Sequence, residues 1–132
     1  MNRRRFLGAL AALAAVGACA KADTSADPVW GKEPCAHCRM LVSDKRYAAQ
    51  AAIDGERKYF DDVGCLVLWA KEHRAERTWV RDSASGAWVS AESARFQGGA
   101  RTPMDYGFEA RSDGSVGFAE VREKVLAKGG AR

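Results

Sequence analysis

The segment Cys35-Ala36-His37-Cys38-Arg39-Met40 places two thiols, an imidazole and a thioether within six residues. Thiolate and thioether sulfurs are soft donors, and soft donors select Cu(I) over harder cations. A CxxC pair alone is typical of zinc sites as well as of redox sites. The thioether of Met40 favours Cu(I), although methionine is also a common filler of irregular gaps in a core. The spacing therefore predicts a metal site at Cys35 and Cys38, with Met40 either a third soft donor or a packing residue.

Three more residues are candidates for the same site. His37 lies inside the motif and either supplies a nitrogen donor or points to solvent. Met104 lies in the loop 102–107 with little hydrophobic company, so its thioether could complete a soft site if the second half of the chain folds over the first. Cys65 is predicted near the start of a helix, where it is either a further ligand or a small buried hydrophobe.

The remaining polar motifs do not indicate an enzyme. Asp61-Asp62 directly precedes a predicted helix, so we interpret these residues as candidate helix caps rather than as paired catalytic carboxylates or a hard-metal site. No serine or cysteine stands in a recognisable nucleophile–base context, and the chain has no glycine-rich phosphate loop. We expect ligand exchange at a metal rather than catalysis.

The N-terminus has the pattern of an export signal. Arg3-Arg4-Arg5 precedes an apolar run over 6–16 that is too short to span a bilayer, and the same arginines fit a twin-arginine signal. Val16-Gly17-Ala18-Cys19 is similar to a bacterial lipobox. We therefore predict a signal peptide over 1–18 and lipidation of Cys19, which would hold the protein on the periplasmic side of a bacterial membrane. The alternative is ordinary cleavage near Ala18.

Removal of this signal changes the charge and the cysteine count. The chain has a formal charge of +4, and three of these charges belong to Arg3, Arg4 and Arg5, which leaves +1. So small a charge does not indicate a nucleic-acid partner. Lipidation then uses Cys19, so Cys35, Cys38 and Cys65 remain as thiols, and one disulfide would leave one of them free. Metal binding explains an odd number of cysteines in an oxidising compartment better.

Hydrophobic periodicity predicts an α+β fold of two small ββαβ-type units packed together. Residues 19–28 are small and polar and are interpreted as a lipidated tether, and the domain is predicted over 29–130 with half-units of about 29–84 and 85–130. Asp54-Gly55 is a two-residue hairpin signal. The predicted strands are 47–53, 56–60, 78–81, 87–90, 94–97 and 107–111, and the predicted helices are 62–76 and 116–128.

These motifs together resemble the NosL family, copper-binding lipoproteins encoded with the maturation genes of nitrous oxide reductase. The resemblance lies in the lipobox, the CxxCxM segment and two further stretches, Tyr59-Phe60-Asp61-Asp62-Val63-Gly64-Cys65 and Thr102-Pro103-Met104-Asp105-Tyr106-Gly107-Phe108. It covers nearly the whole mature chain. One departure is Arg39, which stands where many members have a smaller residue, commonly glycine.

The resemblance implies a fold and a function. The fold of the family is described as two ββαβ units. The family delivers Cu(I) to apo nitrous oxide reductase together with a membrane maturation complex. Carried over by motif, it implies Cys38, Met40 and Met104 as ligands, with Cys35 and His37 as further candidates. Two other functions stay open, namely a thiol–disulfide oxidoreductase that uses the CxxC pair and a structural zinc module of Cys35, Cys38, Cys65 and His37.

Overall fold

The structure, a computed structural model, describes residues 23–129 and confirms the α+β class with two small antiparallel sheets and two helices. The first sheet has the order β2-β1-β3-β4, and the second has the order β6-β5-β7. The strands are β1 (Ala49–Ile53), β2 (Glu56–Phe60), β3 (Arg77–Arg81), β4 (Trp88–Ser90), β5 (Arg95–Gln97), β6 (Glu109–Ala110) and β7 (Val116–Gly117). The helices are α1 (Val63–Trp69) and α2 (Phe118–Gly129), and a 3-10 turn covers Ala91–Ser93.

The hairpin between β1 and β2 forms where the sequence predicts it. Asp54 and Gly55 have φ values of 51° and 77°, as a turn with two left-handed central residues requires. Ile53 pairs with Glu56, and the register continues to Ala49 opposite Phe60. The hairpin thus places the end of β2 beside the start of β1, and the chain continues from there into Asp61, Asp62 and α1.

Helix α1 is much shorter than the predicted helix over 62–76. It begins at Val63 after the cap Asp62 and ends at Trp69. Past this point the backbone hydrogen bonds join residues three apart rather than four. Lys71 N–H donates to the Leu68 carbonyl, and Glu72 N–H donates to the Trp69 carbonyl. The ring of His73 stacks on Trp69 and its Nδ1 lies 2.9 Å from the Trp69 carbonyl oxygen. The helix stops here because residues 71–74 are polar and offer no apolar face to bury.

Strand β1 is shorter than predicted and is buried on both faces. The strand starts at Ala49 rather than at Tyr47, and it is the only strand of the first sheet with buried residues at four successive positions. The alternation predicted one exposed face, but Gln50 is fully buried. Its amide pairs with the backbone of Ala26 in both directions at 3.2 Å, so the N-terminal segment covers this face.

The second half completes the molecule around α2. Strand β4 pairs with β3, so it extends the first sheet although it follows the predicted boundary near residue 84. Helix α2 packs against α1 and against the second sheet. It starts at Phe118, since Val116 and Gly117 of the predicted helix form strand β7 instead. Within residues 23–129, no helix has the length and apolar character needed to cross a bilayer.

Three other predictions concern the N-terminus. The signal peptide over 1–18 and the lipidated Cys19 lie outside the described residues, as does the first part of the tether over 19–28. The last part of that tether is attached to the domain. Tyr59 donates its hydroxyl to the Ala26 carbonyl at 2.9 Å, and Arg57 donates to the Thr24 carbonyl at 3.0 Å. Arg81 and Trp88 both bind the carboxylate of Asp27. Residues 24–27 of the predicted tether are therefore held against the domain.

Candidate metal centre

The CxxCxM segment forms a closed loop that is held by its own backbone. Cys35 N–H donates to the Met40 carbonyl at 2.7 Å, and Arg39 N–H donates to the Cys35 carbonyl at 3.1 Å. Pro34 and Leu41 form an antiparallel bridge at the base of the loop. The loop closes because Arg39 adopts a φ of 71°, in the left-handed region where glycine has no steric penalty.

The loop lies against the junction of β2 and α1. Ala36 N–H donates to the carbonyl of Tyr59, the next-to-last residue of β2, at 2.8 Å. Beyond this point β2 ends, Asp61 and Asp62 follow, and Cys65 lies in the first turn of α1. The same junction therefore brings Asp61 and Cys65 to the two cysteines of the loop.

The result is a compact group of four side chains, which we call the thiol cluster. It consists of Cys35, Cys38, Asp61 and Cys65, and one ligand atom from each lies within 4.8 Å of all the others. Cys35, Asp61 and Cys65 are buried, whereas Cys38 is partly exposed. All three cysteines are free thiols. A cluster of three thiols and a carboxylate at these distances could bind a metal ion.

Cys35 is the cysteine of the cluster whose thiol loses its proton most easily. The hydrogen bond from the Cys65 thiol is the main factor that lowers the pKa of Cys35, from 9.0 to about 6. Backbone N–H groups of Cys38, Asp61 and His37 lower this pKa further, and burial opposes them. The Cys38 N–H lies 3.5 Å from the Cys35 sulfur. Cys35 is therefore a thiolate at neutral pH, which is the form that binds metals.

The other two cysteines hold their protons. Burial is the main factor that raises the pKa of Cys38 to about 12, and hydrogen bonds with Cys35 and Asp61 add to it. The Cys38 thiol donates to Asp61 Oδ1 at 3.3 Å. The pKa of Cys65 is raised far above its usual range, first by its hydrogen bond to Cys35 and then by burial. One negative charge is thus shared by three sulfurs, and a cation would release the remaining protons.

Two members of the cluster differ from the sequence-based interpretation. Cys65 was open between ligand and core residue, and its sulfur in fact lies with the other two. The sequence favours a helix cap over a hard-metal site for Asp61, but the cap of α1 is Asp62, whose Oδ1 accepts the Gly64 N–H at 2.9 Å. Asp61 is therefore free to accept from Cys38. Its position directly before a capping residue was the only signal in the sequence.

His37 and Met40 both lie on the outside of the loop. His37 is exposed, and its ring is not among the groups whose ligand atoms cluster with Cys35. A zinc module that used His37 as the fourth ligand therefore has no counterpart in this arrangement. Met40 is 60% exposed although its carbonyl closes the loop. Its exposure excludes the alternative that Met40 is a core residue, and its role as a ligand stays a prediction.

The loop that carries Met104 is linked to the region of the metal site by a backbone hydrogen bond to Asp62. The Met104 N–H donates to Asp62 Oδ2 at 3.1 Å, so one buried carboxylate both caps α1 and holds the loop from the second half. Tyr106 of the same loop packs on Gly64, where an added Cβ would lie 2.1 Å from the ring. Met104 is half-buried and packs against the core. The second half therefore does fold over the first at this loop, as a shared site would require, and the role of Met104 as a ligand stays a prediction.

Replacement of Asp62 by alanine tests this anchor. We expect Asp62→Ala to lower the free energy of unfolding by about 3 kcal/mol, because it removes a helix cap and a second hydrogen bond to a buried carboxylate. Asp113→Ala is the control, since Asp113 is exposed and only pairs with Arg111, and we expect it to cost less than about 1 kcal/mol. Urea unfolding measures both. Equal effects of the two substitutions would contradict an anchoring role of Asp62.

Comparison of the chain with protein-family models, with curated proteins and with solved structures finds no match.

Proposed function

We propose that this protein is a Cu(I) metallochaperone, an exported carrier that binds one Cu(I) and passes it to a copper enzyme. The observation that carries the proposal is the convergence of three cysteine sulfurs within 4.8 Å, and the lowered pKa of Cys35 supports it. Sulfur donors of this kind suit Cu(I), which accepts a low coordination number. Met40 and Met104, the only methionines besides Met1, both lie in segments next to the cluster.

The access to the cluster suits a carrier. Cys35 and Cys65 are fully buried, while Cys38 is partly exposed and Met40 lies outside it. An incoming donor can therefore reach the metal from the side of Cys38 before the buried sulfurs release it. A site that is closed by four protein ligands would hold its ion as a structural element instead.

Anaerobic titration against a competing Cu(I) chelator tests the proposal. We expect one Cu(I) per chain and retention of that copper in the presence of excess Zn²⁺. Thermal melts with and without each metal accompany the titration, because a carrier should be folded without its cargo. Tight binding of zinc without competition for Cu(I) would contradict the proposal.

The pH dependence of the Cu(I) affinity shows how many cysteines bind the metal as thiolates. Cys35 is deprotonated above pH of about 6, whereas Cys38 keeps its proton up to about 12. Binding through these two sulfurs therefore releases one proton between those values, and the Cu(I) affinity should rise about tenfold per pH unit from pH 7 to 9. Below pH 6 a second proton competes, and the affinity should fall more steeply.

Coordination by Cys65 would make the Cu(I) affinity change more steeply with pH. Its pKa is raised above the range of the titration, so coordination of the Cys65 thiolate would release a further proton and give about a hundredfold change per pH unit. Chelator competition at several pH values, corrected for the chelator's own protonation, distinguishes the two ligand sets. A slope of zero would show that Cys38 does not bind as a thiolate.

Asp61 favours a second candidate, a structural zinc site. Three thiolates and a carboxylate form a tetrahedral donor set that Zn²⁺ accepts, and the carboxylate oxygen is a harder donor than Cu(I) prefers. In that case the protein without metal should melt at a much lower temperature. The melts described above therefore separate this candidate from the carrier.

A thiol–disulfide oxidoreductase fits the arrangement less well. In enzymes of that kind the attacking cysteine gains its low pKa at a helix N-terminus. Here the CxxC pair lies in a loop before a hairpin, and the low pKa of Cys35 comes from a third thiol and backbone N–H groups. We infer that the protein is not an enzyme.

Lipidation of Cys19 is part of the proposal and rests on the lipobox. We expect the intact mass of the protein from the membrane fraction to show an acylated N-terminal Cys19, and we expect Cys19→Ala to release the protein from the membrane. A soluble and unmodified product of the unaltered chain in its native host would contradict this prediction.

We infer the client from the resemblance to the NosL family. Apo nitrous oxide reductase on the periplasmic side of the membrane, with its membrane maturation complex, is the recipient that this resemblance favours. In a host that lacks this chain, we expect nitrous oxide reductase to be made without its full copper content. Normal copper content in that host would exclude nitrous oxide reductase as the client.

A further inference from the structure

The exposed large hydrophobic side chains of the described domain are concentrated at one place. Within residues 23–129 they are Val29, Met40 and Leu41, with exposed fractions of 62%, 60% and 52%. Met40 and Leu41 end the loop that carries Cys35 and Cys38. The apolar surface of the domain thus lies where the metal would leave.

Val29 reaches this place through a backbone turn. Lys32 N–H and Glu33 N–H both donate to the Val29 carbonyl, and Val42 N–H donates to the Glu33 carbonyl at 2.8 Å. The turn that begins at Val29 therefore runs alongside the strand that leaves the metal loop at Leu41. We call the surface of Val29, Met40 and Leu41 the exit patch.

Positive charges surround the exit patch. Lys32 is part of the Val29 turn, and Lys45 Nζ lies 5.7 Å above the ring of Trp30, next to Val29. Arg39 precedes Met40 and is exposed. Of the acidic side chains nearby, Glu33 is half-buried, Asp44 pairs with Arg46 at 2.9 Å, and Asp27 pairs with Arg81 at 3.0 Å.

The segment 29–47, which carries the exit patch, is more basic than the domain as a whole. Residues 29–47 contain four basic and two acidic side chains, whereas residues 23–129 as a whole contain sixteen basic and seventeen acidic ones. An apolar centre with a polar rim is typical of a protein interface. The sign of the rim selects a partner of opposite charge and speeds its approach.

We propose that the exit patch is the docking surface for the protein that exchanges metal with this chain, and that the partner presents an apolar spot bordered by carboxylates. This proposal rests on the proposed function, because a carrier has to bring the partner's donors into contact with its own site. The position of the patch beside the partly exposed Cys38 provides that contact. A second copy of the chain is a poor occupant, since it would place two basic rims against each other.

Site-specific photocrosslinking of the full chain in its native host tests this surface. A photoreactive phenylalanine analogue replaces Leu41, and the control position is Ala119, which is exposed on α2. We expect an adduct at position 41 with a protein that then takes Cu(I) from the purified, copper-loaded chain. The double substitution Lys32→Glu and Lys45→Glu should reduce this adduct at least tenfold.

The matched control variant is Lys71→Glu with Arg74→Glu, which changes the net charge equally at the opposite end of α1 and should leave the adduct unchanged. An adduct with lipid, an adduct with a second copy, or equal losses in both double variants would overturn the docking proposal. Copper content is measured in all variants. Absence of Cu(I) throughout would overturn the proposed function, whereas normal Cu(I) without a charge-dependent adduct would overturn the docking proposal alone.

Discussion

Cys38→Ser is expected to weaken Cu(I) binding by more than about 100-fold, because loss of outer-shell groups alone costs 10–100-fold and this change removes a ligand. The folded state should hardly change. Cys38 is partly exposed, and its side chain makes hydrogen bonds only within the cluster, with Asp61 and Cys35. Chelator competition measures the affinity, and urea unfolding measures the stability.

Two further substitutions, Cys35→Ser and Met104→Ala, are compared with Cys38→Ser in the same two measurements. Cys35 is fully buried and accepts several hydrogen bonds, so Cys35→Ser should lower both the affinity and the stability. A thioether is neutral, and Met104→Ala should weaken Cu(I) binding less than Cys38→Ser does. Retention of the affinity within about threefold in Cys38→Ser would exclude Cys38 as a ligand and would leave the metal to the buried pair.

Gly64→Ala is expected to destabilise this protein strongly, because no space is left for a side chain at this position. The new Cβ would lie 2.1 Å from Cγ and 2.7 Å from Cβ of Tyr106, so the tyrosine would have to move with its backbone. Overpacking of this kind costs about 1–3 kcal/mol or more. Because Tyr106 and Met104 share one loop, we also expect the Cu(I) affinity to fall as far as it does in Met104→Ala.

Gly98→Ala is the matched control. A Cβ at Gly98 would meet only Phe108, at an ordinary distance of 3.7 Å, and the stability should change by less than about 1 kcal/mol. Thermal and urea unfolding of both variants, with chelator competition for the affinity, complete the comparison. A Gly64→Ala protein with the stability and affinity of the unaltered chain would show that the 102–107 loop is not held against α1.

Local signals in the sequence were sufficient to predict the structure of several parts of this protein. The Asp54-Gly55 turn and strand β2 form as predicted because left-handed φ values depend on only two residues. The helix cap and the pairing of Cys35 with Cys38 are also local, since a tight loop brings nearby side chains together. For the same reason the sequence could place the first half of the metal site.

The extent of helices and strands depended on neighbours that the sequence does not reveal. Periodicity continued helix α1 to residue 76, whereas the helix ends at Trp69, where the surface that it packs against ends. Alternation gave β1 one exposed face, but the N-terminal segment covers Gln50 from outside. Both errors have one physical cause, which is that burial is a property of the whole fold.

Tertiary structure alone decided the second half of the site. Asp61 and Cys65 are separated from the metal loop by more than twenty residues, and only the packing of the loop against the end of β2 brings them within 4.8 Å of its sulfurs. The same packing lowers the pKa of Cys35, because the Cys65 thiol and the backbone N–H groups converge there. The sequence therefore determined which donors are present, while long-range packing decided which of them meet and which one carries the charge.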